Sequence, residues 1–525
     1  MSTTSSDFKL LNQYTVFVYP FVHNLGESNR SIRIRSLEES WTPWWDRLGN
    51  EIGAALDNTY FFLPYIREVL FPETLTLKET SPGQNYENWI NEIHQWNQKG
   101  LSYFGNMLPD NSVLRFTYKQ ALLEQIKNIE ISDKGDTELS DHIFARIAWI
   151  DAVLFPSGLG FLMLKIVLNR DSPLLSQLVD LNYYLRLVHA PNINWRLPEL
   201  NFNRQAQAVS VRDLMDFLTQ GMVNESGHLS ELTQWKAHLS TSTQKRSSES
   251  EAGQVYGERC HVFSYATVNL IENENDNSPN GVFGSLKDRL VFEFASSIGI
   301  GSTVDSVHNP MWIPSPDYVQ RLKNNNQFSV WETWTGMALK ESVVFLGTQD
   351  IPFNRRVLPA IVENDYLPLY VYSLYQKYQL FIFADQLMRK GAYVAQHLNE
   401  VRALMDRFMD FRNKYWFNEV TRKPLGGELY SKFQLGLEST SLFELVSLQV
   451  KDLKEYYEDR RQRRIDVLLN IFTFIFLPVG AAIGIFSMSF IKGSWTAFIV
   501  VMSIIFVVSV GIWKWWTEEF GPNVK

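Results

Sequence analysis

The sequence predicts an α+β membrane protein, with a mixed α/β cytoplasmic domain, a long helical stalk and two transmembrane helices at the C-terminus. Three observations support this fold class. Two long apolar runs lie close to the C-terminus, a stretch without glycine or proline precedes them, and strand and helix patterns are mixed in the first part of the chain. The predicted domains are residues 1–370, 371–464 and 465–516, followed by a cytoplasmic tail at 517–525.

The first part of the chain carries the predicted strands. Tyr14–Val22 is rich in β-branched and aromatic residues, and the segment SIRIRS, from Ser31, alternates cleanly, so both are predicted to be strands. From Glu39 to Leu101 the pattern is helical. Ala152–Leu168 is strongly apolar, but a Pro-Ser-Gly sequence interrupts it, which predicts two buried strands around a turn rather than a membrane span.

Two segments are loop-like by composition, Ser240–Gln254 and Glu272–Gly281, and the stretch between them is strand-like. They either separate subdomains or are surface insertions. The sequence leaves both interpretations open.

Beyond Tyr366 the chain is predicted to be helical. A helix at about Tyr375–Tyr415 is followed by a break at Lys423–Glu428. A long stretch then begins near Ser439, and neither glycine nor proline occurs from Glu438 to Leu477. The stalk and the first membrane helix are therefore predicted to form one continuous rod.

The two apolar runs predict a transmembrane hairpin. They extend over Ile465–Ile491 and Trp495–Trp513, and only three residues separate them. A helix rises about 1.5 Å per residue, so roughly 20 apolar residues cross a bilayer. Four arginines precede the first run, whereas the turn carries one lysine, Lys492. Basic residues stay cytoplasmic, which predicts a multi-pass protein of the inner or plasma membrane with both termini in the cytoplasm.

The composition restricts the bonds and binding partners that we expect for this chain. The chain has 525 residues, a net charge of −8 and a single cysteine, Cys260. One cysteine excludes disulfides within the chain, and we expect this thiol to be buried and inert. An acidic chain without a basic face beyond the four arginines is not expected to bind nucleic acid directly.

An acidic stripe precedes and enters the first apolar run. Residues seven apart share one face of a helix that follows a bundle axis, and here they are Asp452, Asp459, Asp466, Thr473, Gly480 and Ser487. Leu469, Leu477 and Gly484 lie on nearly the same face. Rings of carboxylates concentrate cations, and apolar constrictions gate pores, so the stripe predicts a cation conduit in a homo-oligomer. The alternative is a solvated helix face, with Asp466 paired to a nearby arginine.

The segment FLPVGAAIGIFSMSF, Phe476–Phe490, resembles the end of the pore helix in CorA-type magnesium transporters. Pro478 matches the proline of that helix, and Gly484–Phe490 occupies the place of the Gly-Ile-Tyr-Gly-Met-Asn-Phe signature. The resemblance covers about the last 150 residues. It implies a homopentameric funnel that passes divalent cations, with the first membrane helix as the pore helix, the second facing lipid, and a cytoplasmic domain that gates the flux.

The chain departs from that family at the outer mouth, where Gly-Met-Asn is replaced by Ser487-Met488-Ser489 and the turn lacks acidic residues. Mg²⁺ prefers oxygen ligands and dehydrates reluctantly, so we expect this outer mouth to bind Mg²⁺ more weakly than that of typical family members. The departures and the large N-terminal part resemble a CorA branch associated with type III CRISPR antiviral defence. That branch implies a membrane effector opened by a nucleotide second messenger, an adenylated S-adenosylmethionine. No motif here identifies ligand-binding residues for it.

We therefore predict a non-enzymatic, CorA-like cation channel gated by its cytoplasmic domain, with two alternatives. One is the nucleotide-triggered CRISPR effector, and the other is a non-conducting membrane-anchored sensor. The predicted partners are further copies of the chain, the lipid bilayer and the second messenger. No cofactor is predicted apart from transported or regulatory Mg²⁺ or another divalent cation, for which Asp459 and Asp466 are the candidate ligands. The predicted pore-lining residues are Asp452, Asp459, Asp466, Leu469, Thr473, Leu477, Gly480, Gly484, Ser487, Met488 and Ser489.

Overall fold

The structure is a computed structural model that describes most of the chain up to residue 487. The described residues are 8–23, 30–74, 76, 86–109, 112–132, 143–188, 199–203, 209–223, 259–270, 283–298, 314–391 and 398–487, together with 496, 499, 500, 503, 507 and 511. The chain divides into two compact units. The first comprises Met1–Asp385 and Asp406–Glu444, and the second comprises Gln386–Met405 and Leu445–Lys525.

One mixed sheet organises the first unit. Eleven strands of the described part belong to it: β1 Asn12–Val22, β2 Trp41–Pro43, β3 Leu114–Tyr118, β4 Asn128–Ser132, β5 Ile143–Leu154, β6 Leu159–Leu168, β7 Glu199–Phe202, β8 His261–Thr267, β9 Gln327–Trp331, β10 Trp334–Ala338 and β11 Ser342–Gly347. Their order is β2-β3-β5-β6-β1-β8-β11-β10-β9, with β4 on β5 and β7 on β4. Neighbours are antiparallel except β8 and β11, which run parallel.

The strands at the centre of the sheet are those that the sequence indicates most clearly. Strand β1 coincides with the predicted strand, and the apolar stretch that begins at Ala152 is the end of β5 followed by β6, as predicted. Gly158 turns the chain between them with φ at +88°, a conformation that side chains rarely adopt. The strand-like stretch after Ser240–Gln254 contains β8, while the two loop-like segments lie outside the described residues.

Helices pack on both faces of this sheet. The described helices are α1 Arg30–Leu37, α2 Ile52–Thr59, α3 Pro64–Leu70, α4 Tyr86–Lys99, α5 Leu101–Met107, α6 Gln120–Ile126, α7 Leu175–Leu185, α8 Val211–Val223, α9 Leu286–Ser296, α10 Pro316–Asn326, α11 Leu358–Ile361, α12 Leu367–Gly391, α13 Leu398–Tyr415, α14 Pro424–Gly436 and α15 Ser439–Ser487. A 3-10 helix covers Trp44–Glu51, and π-helical turns cover Phe353–Val357 and Val362–Tyr366.

Strand β1 shows how the two faces are covered. Successive side chains of a strand point to opposite faces. On one face, the hydroxyl of Thr15 donates a hydrogen bond of 2.7 Å to the side-chain oxygen of Asn182 in α7. On the other face, the hydroxyl of Tyr14 donates a hydrogen bond of 2.9 Å to the carbonyl oxygen of Pro359. On the Tyr14 face, α12 packs its aromatic side chains against the sheet, and the rings of Tyr375 and Phe155 stack at 3.8 Å.

Three local predictions are wrong in whole or in part. The segment SIRIRS lies in α1, where Ile34 and Leu37 are one turn apart and both fully buried. Alternation over six residues does not separate a strand from a short amphipathic helix, because both patterns place apolar residues at spacings of two to four. The predicted break at Lys423–Glu428 is the first turn of α14, because Pro424 occupies the first helical position, where its missing N–H costs nothing. The helical prediction for Glu39–Leu101 also misses the short strand β2.

The predicted membrane fold class and the multi-pass membrane localisation are contradicted. Among the residues that the structure describes, no helix is long and apolar enough to cross a membrane. Helix α15 does extend without interruption over Ser439–Ser487. The absence of glycine and proline predicted this as far as Leu477, and the helix also continues through Pro478. Its residues are strongly charged as far as Asp466.

A glycine in β10 provides a sharp test of the packing in this sheet. A Cβ on Gly336 would lie 2.5 Å from the carbonyl oxygen of Val344 and would overlap the ring of Phe328. The backbone of the neighbouring strand cannot yield as a side chain can, so Gly336→Ala should lower the free energy of unfolding by about 1–3 kcal/mol.

Gly427, in α14, is the matched control. Nothing lies within 4 Å of its hypothetical Cβ, so Gly427→Ala should instead stabilise the helix by about 0.5–1 kcal/mol. Urea unfolding of the two variants tests whether Gly336→Ala lowers the free energy of unfolding and Gly427→Ala raises it. A Gly336→Ala variant as stable as wild type would contradict the strand pairing described here.

Candidate ligand-binding site

A cavity of about 70 Å³ lies over the Tyr14 face of the sheet, within the first unit. A single water occupies roughly 10–15 Å³ on the same measure, so the cavity has room for about five groups of that size. Its walls are Trp44, Arg47, Leu48, Asn58, Thr59, Leu70, Phe71, Arg115, Trp149, Asp151, Val153, Met163, Glu363, Asn364, Leu367, Pro368 and Val371. Apolar and aromatic side chains with a few convergent charged groups are typical of small-molecule sites.

Strand register determines the floor of the cavity. Trp149, Asp151 and Val153 alternate along β5 and therefore share one face. Arg115 of β3 is paired with Val153, and Met163 of β6 is paired with Asp151, so both belong to the same face. Antiparallel pairing thus brings a cation and an anion from separate strands onto one apolar surface.

Two short helical segments cover this floor. Trp44 and Arg47 are three residues apart in the 3-10 helix, which has about 3.0 residues per turn, so their side chains lie on one side of it. Glu363 belongs to the second π-helical turn, directly before α12. π-Helical turns are rare in proteins and occur frequently at functional sites.

Charged groups join the cover to the floor. The Arg47 guanidinium donates to Asp151 at 2.9 Å and lies 3.9 Å from Glu363. Glu363 also accepts from the indole N–H of Trp149 at 2.9 Å and pairs with Lys165. The Asp151 side chain is only 4% exposed, so its ion pair is shielded from solvent and stronger than a surface pair.

Arg115 is held differently, by aromatic rings. Its guanidinium carbon lies 3.9 Å from the ring centre of Trp44 and 4.7 Å from that of Phe71. Burial lowers the pKa of Arg115 to about 10, and the carboxylates of Glu73 and Asp151 oppose that shift. The side chain therefore remains a cation at neutral pH.

Glu73 carries a charge opposite to that of this arginine and interacts with it electrostatically. It is 1% exposed and accepts from the indole N–H of Trp44 at 2.9 Å. Burial raises the pKa of Glu73, whereas the positive charge of Arg115 lowers it. Removing either charge would therefore leave the other in an environment of low polarity.

Three polar atoms at the cavity have no hydrogen-bond partner within the protein. They are Nε of Arg47, Nη1 of Arg115 and Oδ1 of Asp151. Buried polar atoms are nearly always paired, so a group of unpaired ones is unusual. All three belong to residues that line the cavity, but each of these atoms has less than 1 Å² of accessible surface.

The residues that the sequence predicted as pore-lining lie elsewhere, on α15. Those whose side chains are described are all exposed: Asp452, Asp459, Asp466, Leu469, Thr473, Gly480 and Gly484. The side chains of Leu477 and Ser487, and Met488 and Ser489 altogether, lie outside the described residues. Asp459 pairs with Arg463 at 2.8 Å, and Asp466 accepts from Gln462 at 3.2 Å. Within the described part of the chain, no group of three or more histidine, cysteine, aspartate or glutamate side chains is placed to hold a metal ion.

The sequence interpretation did not single out Arg115, Asp151 or Glu363. A signal was present for the first two, because each is a charged residue inside a run that is otherwise typical of a buried strand. Such residues are rarely buried without a partner or a function. Cys260, by contrast, is buried as expected, and burial raises the pKa of its thiol, which leaves it inert.

Comparison with known proteins identifies no family for this chain. No protein-family model matches the chain, and no curated protein is significantly similar to it.

Proposed function

We propose that this chain is a ligand-binding sensor protein and that its first unit binds a small polar molecule in the cavity. The observation that carries the proposal is a cavity with aromatic walls that two arginines and two carboxylates also line: Arg47, Arg115, Asp151 and Glu363. A polar ligand in this cavity can form charge-assisted hydrogen bonds with these charged side chains.

The character of the walls favours binding over chemistry. The described residues that line the cavity include no histidine, cysteine, serine or lysine. The carboxylates of Asp151 and Glu363 already accept hydrogen bonds from Arg47 and Trp149. Groups held in this way fix the orientation of a ligand more readily than they transfer protons to it.

This proposal is closest to the sensor alternative of the sequence analysis, without its membrane anchor. The cation channel and the nucleotide-triggered effector stay predictions. The homo-oligomeric assembly stays a prediction as well.

The binding function is tested by thermal unfolding of the full chain with a panel of amino acids, dicarboxylates, sugar phosphates and nucleotides. At about 100 times its Kd, a true ligand should raise Tm by about 5 °C. Asp151→Asn should remove most of that rise, because it takes away the negative charge that faces the cavity.

Asp350→Asn is the control, because this carboxylate pairs with Arg355 outside the cavity. It should leave the ligand-induced rise intact. The proposal fails if no compound changes the Tm of the wild type, or if Asp151→Asn keeps the full rise.

A further inference from the structure

We infer that the second π-helical turn, Val362–Tyr366, is the gate of the cavity, and that it opens locally while the rest of the first unit stays folded. The inference rests on the proposed function for its purpose, which is to admit the ligand. Three observations carry it: the position of the turn between cavity and solvent, the backbone bonds that a proline removes from it, and the side-chain contacts that hold it closed.

The gate lies between the cavity and solvent. Glu363 and Asn364 line the cavity, together with Leu367 and Pro368 directly after the turn. Among the described residues that line the cavity, Asn364 is the only exposed one. A residue that both lines a cavity and meets solvent belongs to the wall between them, so a local opening of this turn connects the two.

A proline removes backbone hydrogen bonds from the gate. Leu367 donates its N–H to the carbonyl of Val362, five positions earlier. Pro368 comes next and has no N–H, so the carbonyl of Glu363 has no donor five positions on and that of Asn364 has none four positions on. In the part of the chain that the structure describes, no side chain donates to either carbonyl.

The first π-helical turn, Phe353–Val357, has the same local sequence cause. It too is followed by a Leu-Pro pair, and Pro359 takes the place that Pro368 has after the gate. The carbonyls of Asn354 and Arg355 therefore lose the same two N–H donors. The two turns can be compared directly, because they differ in what replaces those donors.

Side chains of the sheet replace the missing donors at the first turn. The hydroxyls of Tyr265 and Thr267 both donate to the carbonyl of Asn354. The amide of Asn12 donates to the carbonyl of Arg355 at 2.6 Å. The first turn is thus fixed to the sheet through its backbone, whereas the gate has no equivalent bonds.

Charged side-chain contacts hold the gate closed instead. Glu363 accepts from the indole N–H of Trp149 at 2.9 Å and pairs with Lys165. Its carboxylate also lies 3.9 Å from the guanidinium of Arg47. Segments with few backbone bonds and exposed residues open at a lower free energy than the whole fold. Loss of the Glu363 charge is therefore expected to open the gate further.

The test measures how fast a small methanethiosulfonate reagent modifies a thiol placed inside the cavity. Val153→Cys places it on the floor, where the valine is 5% exposed. The native thiol of Cys260 is 0% exposed and does not line the cavity, so its modification in the same molecule reports global unfolding. Local opening should make the introduced thiol react at least roughly 10-fold faster than Cys260.

Glu363→Gln, made together with Val153→Cys, tests the contacts that hold the gate closed. Glutamine keeps an acceptor for Trp149 but loses the charge that pairs with Lys165. The introduced thiol should then react roughly 10-fold faster, because a hydrogen bond to a charged group is lost. The rate at Cys260 should change much less.

Two proline variants test the role of the missing N–H. Pro368→Ala supplies a donor for the free carbonyls of the gate and should slow the reaction roughly 5-fold or more. Pro359→Ala is the matched control, because side chains already bond the corresponding carbonyls of the first turn. It should leave the rate nearly unchanged. Equal effects of the two variants would contradict the assignment of the gate to the second turn.

The outcomes keep the gate and the binding function apart, because the reaction needs no ligand. If the introduced thiol reacts no faster than Cys260, or if Glu363→Gln raises both rates equally, the gate is wrong and the sensor function stands. If the gate behaves as expected and no compound changes the Tm, the sensor function fails and the gate stands. Met163→Cys, also on the floor, repeats the measurement if Val153→Cys does not fold.

Discussion

Acidification is expected to destabilise this fold, and His23 should account for about 3 kcal/mol of the loss near pH 4. His23 directly follows β1 with 7% of its surface exposed, and its Nε2 lies 3.0 Å from the carbonyl oxygen of Phe155. Burial lowers its pKa from 6.5 to about 4, although backbone hydrogen bonds oppose the shift.

The direction of this pH effect on stability follows from proton uptake by the folded and unfolded states. The unfolded chain binds this proton near pH 6.5, whereas the folded protein binds it only near pH 4. Between these values the unfolded state holds more protons, so lowering the pH favours unfolding. The contribution of His23 to stability is complete above pH 6.5 and is lost as the pH falls through 4.

A second buried histidine acts in the same direction. His261 contacts the hydroxyls of Tyr378 at 2.8 Å and of Tyr370 at 3.3 Å. Burial lowers the pKa of His261 well below its usual value, and the nearby charge of Lys377 lowers it further. Its protonation would place a second positive charge in the interior beside that lysine.

Urea unfolding of the wild type and of His23→Gln near pH 7 and near pH 4 measures the His23 share. Glutamine stays neutral and can still donate to Phe155, so the variant should lose about 3 kcal/mol less on acidification than the wild type. Equal losses in the two proteins would show that His23 is not buried in its neutral form.

The largest loss of stability is expected from Phe345→Ala, at about 3–5 kcal/mol. Phe345 of β11 is fully buried, and its ring centre lies between 5.3 and 6.1 Å from four others, those of Phe263, Phe328, Trp334 and Tyr366. Truncation removes these contacts and leaves a cavity that the sheet cannot close.

Phe353→Ala is the matched control, because that phenylalanine is 40% exposed and its truncation should cost about 1 kcal/mol or less. Equilibrium unfolding in urea compares the two variants at one pH. Similar losses would contradict the packing of this aromatic cluster. Tyr366 ends the π-helical turn that carries Glu363, so Phe345→Ala should also weaken ligand binding at the cavity.

The sequence alone determined the elements whose signal is local. β1 and the β5–β6 hairpin follow from β-branched, apolar stretches and a turn-forming Pro-Ser-Gly sequence. As far as Leu477, α15 follows from the absence of helix-breaking residues. The burial of Cys260 likewise required only its residue type. Each of these properties depends on neighbours within a few positions along the chain.

Sequence patterns misled where a local signal had two interpretations. A six-residue alternation at SIRIRS fitted a strand, yet Ile34 and Leu37 bury one face of helix α1. The apolar run that begins at Ile465 suggested a span, yet no helix of the described residues is long and apolar enough to cross a membrane. The likeness of Phe476–Phe490 to a transporter helix stays a prediction, and Met488 and Ser489 lie outside what the structure describes.

Only the tertiary structure decided the candidate site. Arg47 and Asp151 are 104 positions apart, and Trp149 and Glu363 are 214 apart, so no window of sequence contains them together. Strand pairing brings β3, β5 and β6 side by side, and the 3-10 helix and the π-helical turn then close over their common face. The charges meet because antiparallel register places their side chains on one side of the sheet, and register is a property of paired strands rather than of any one of them.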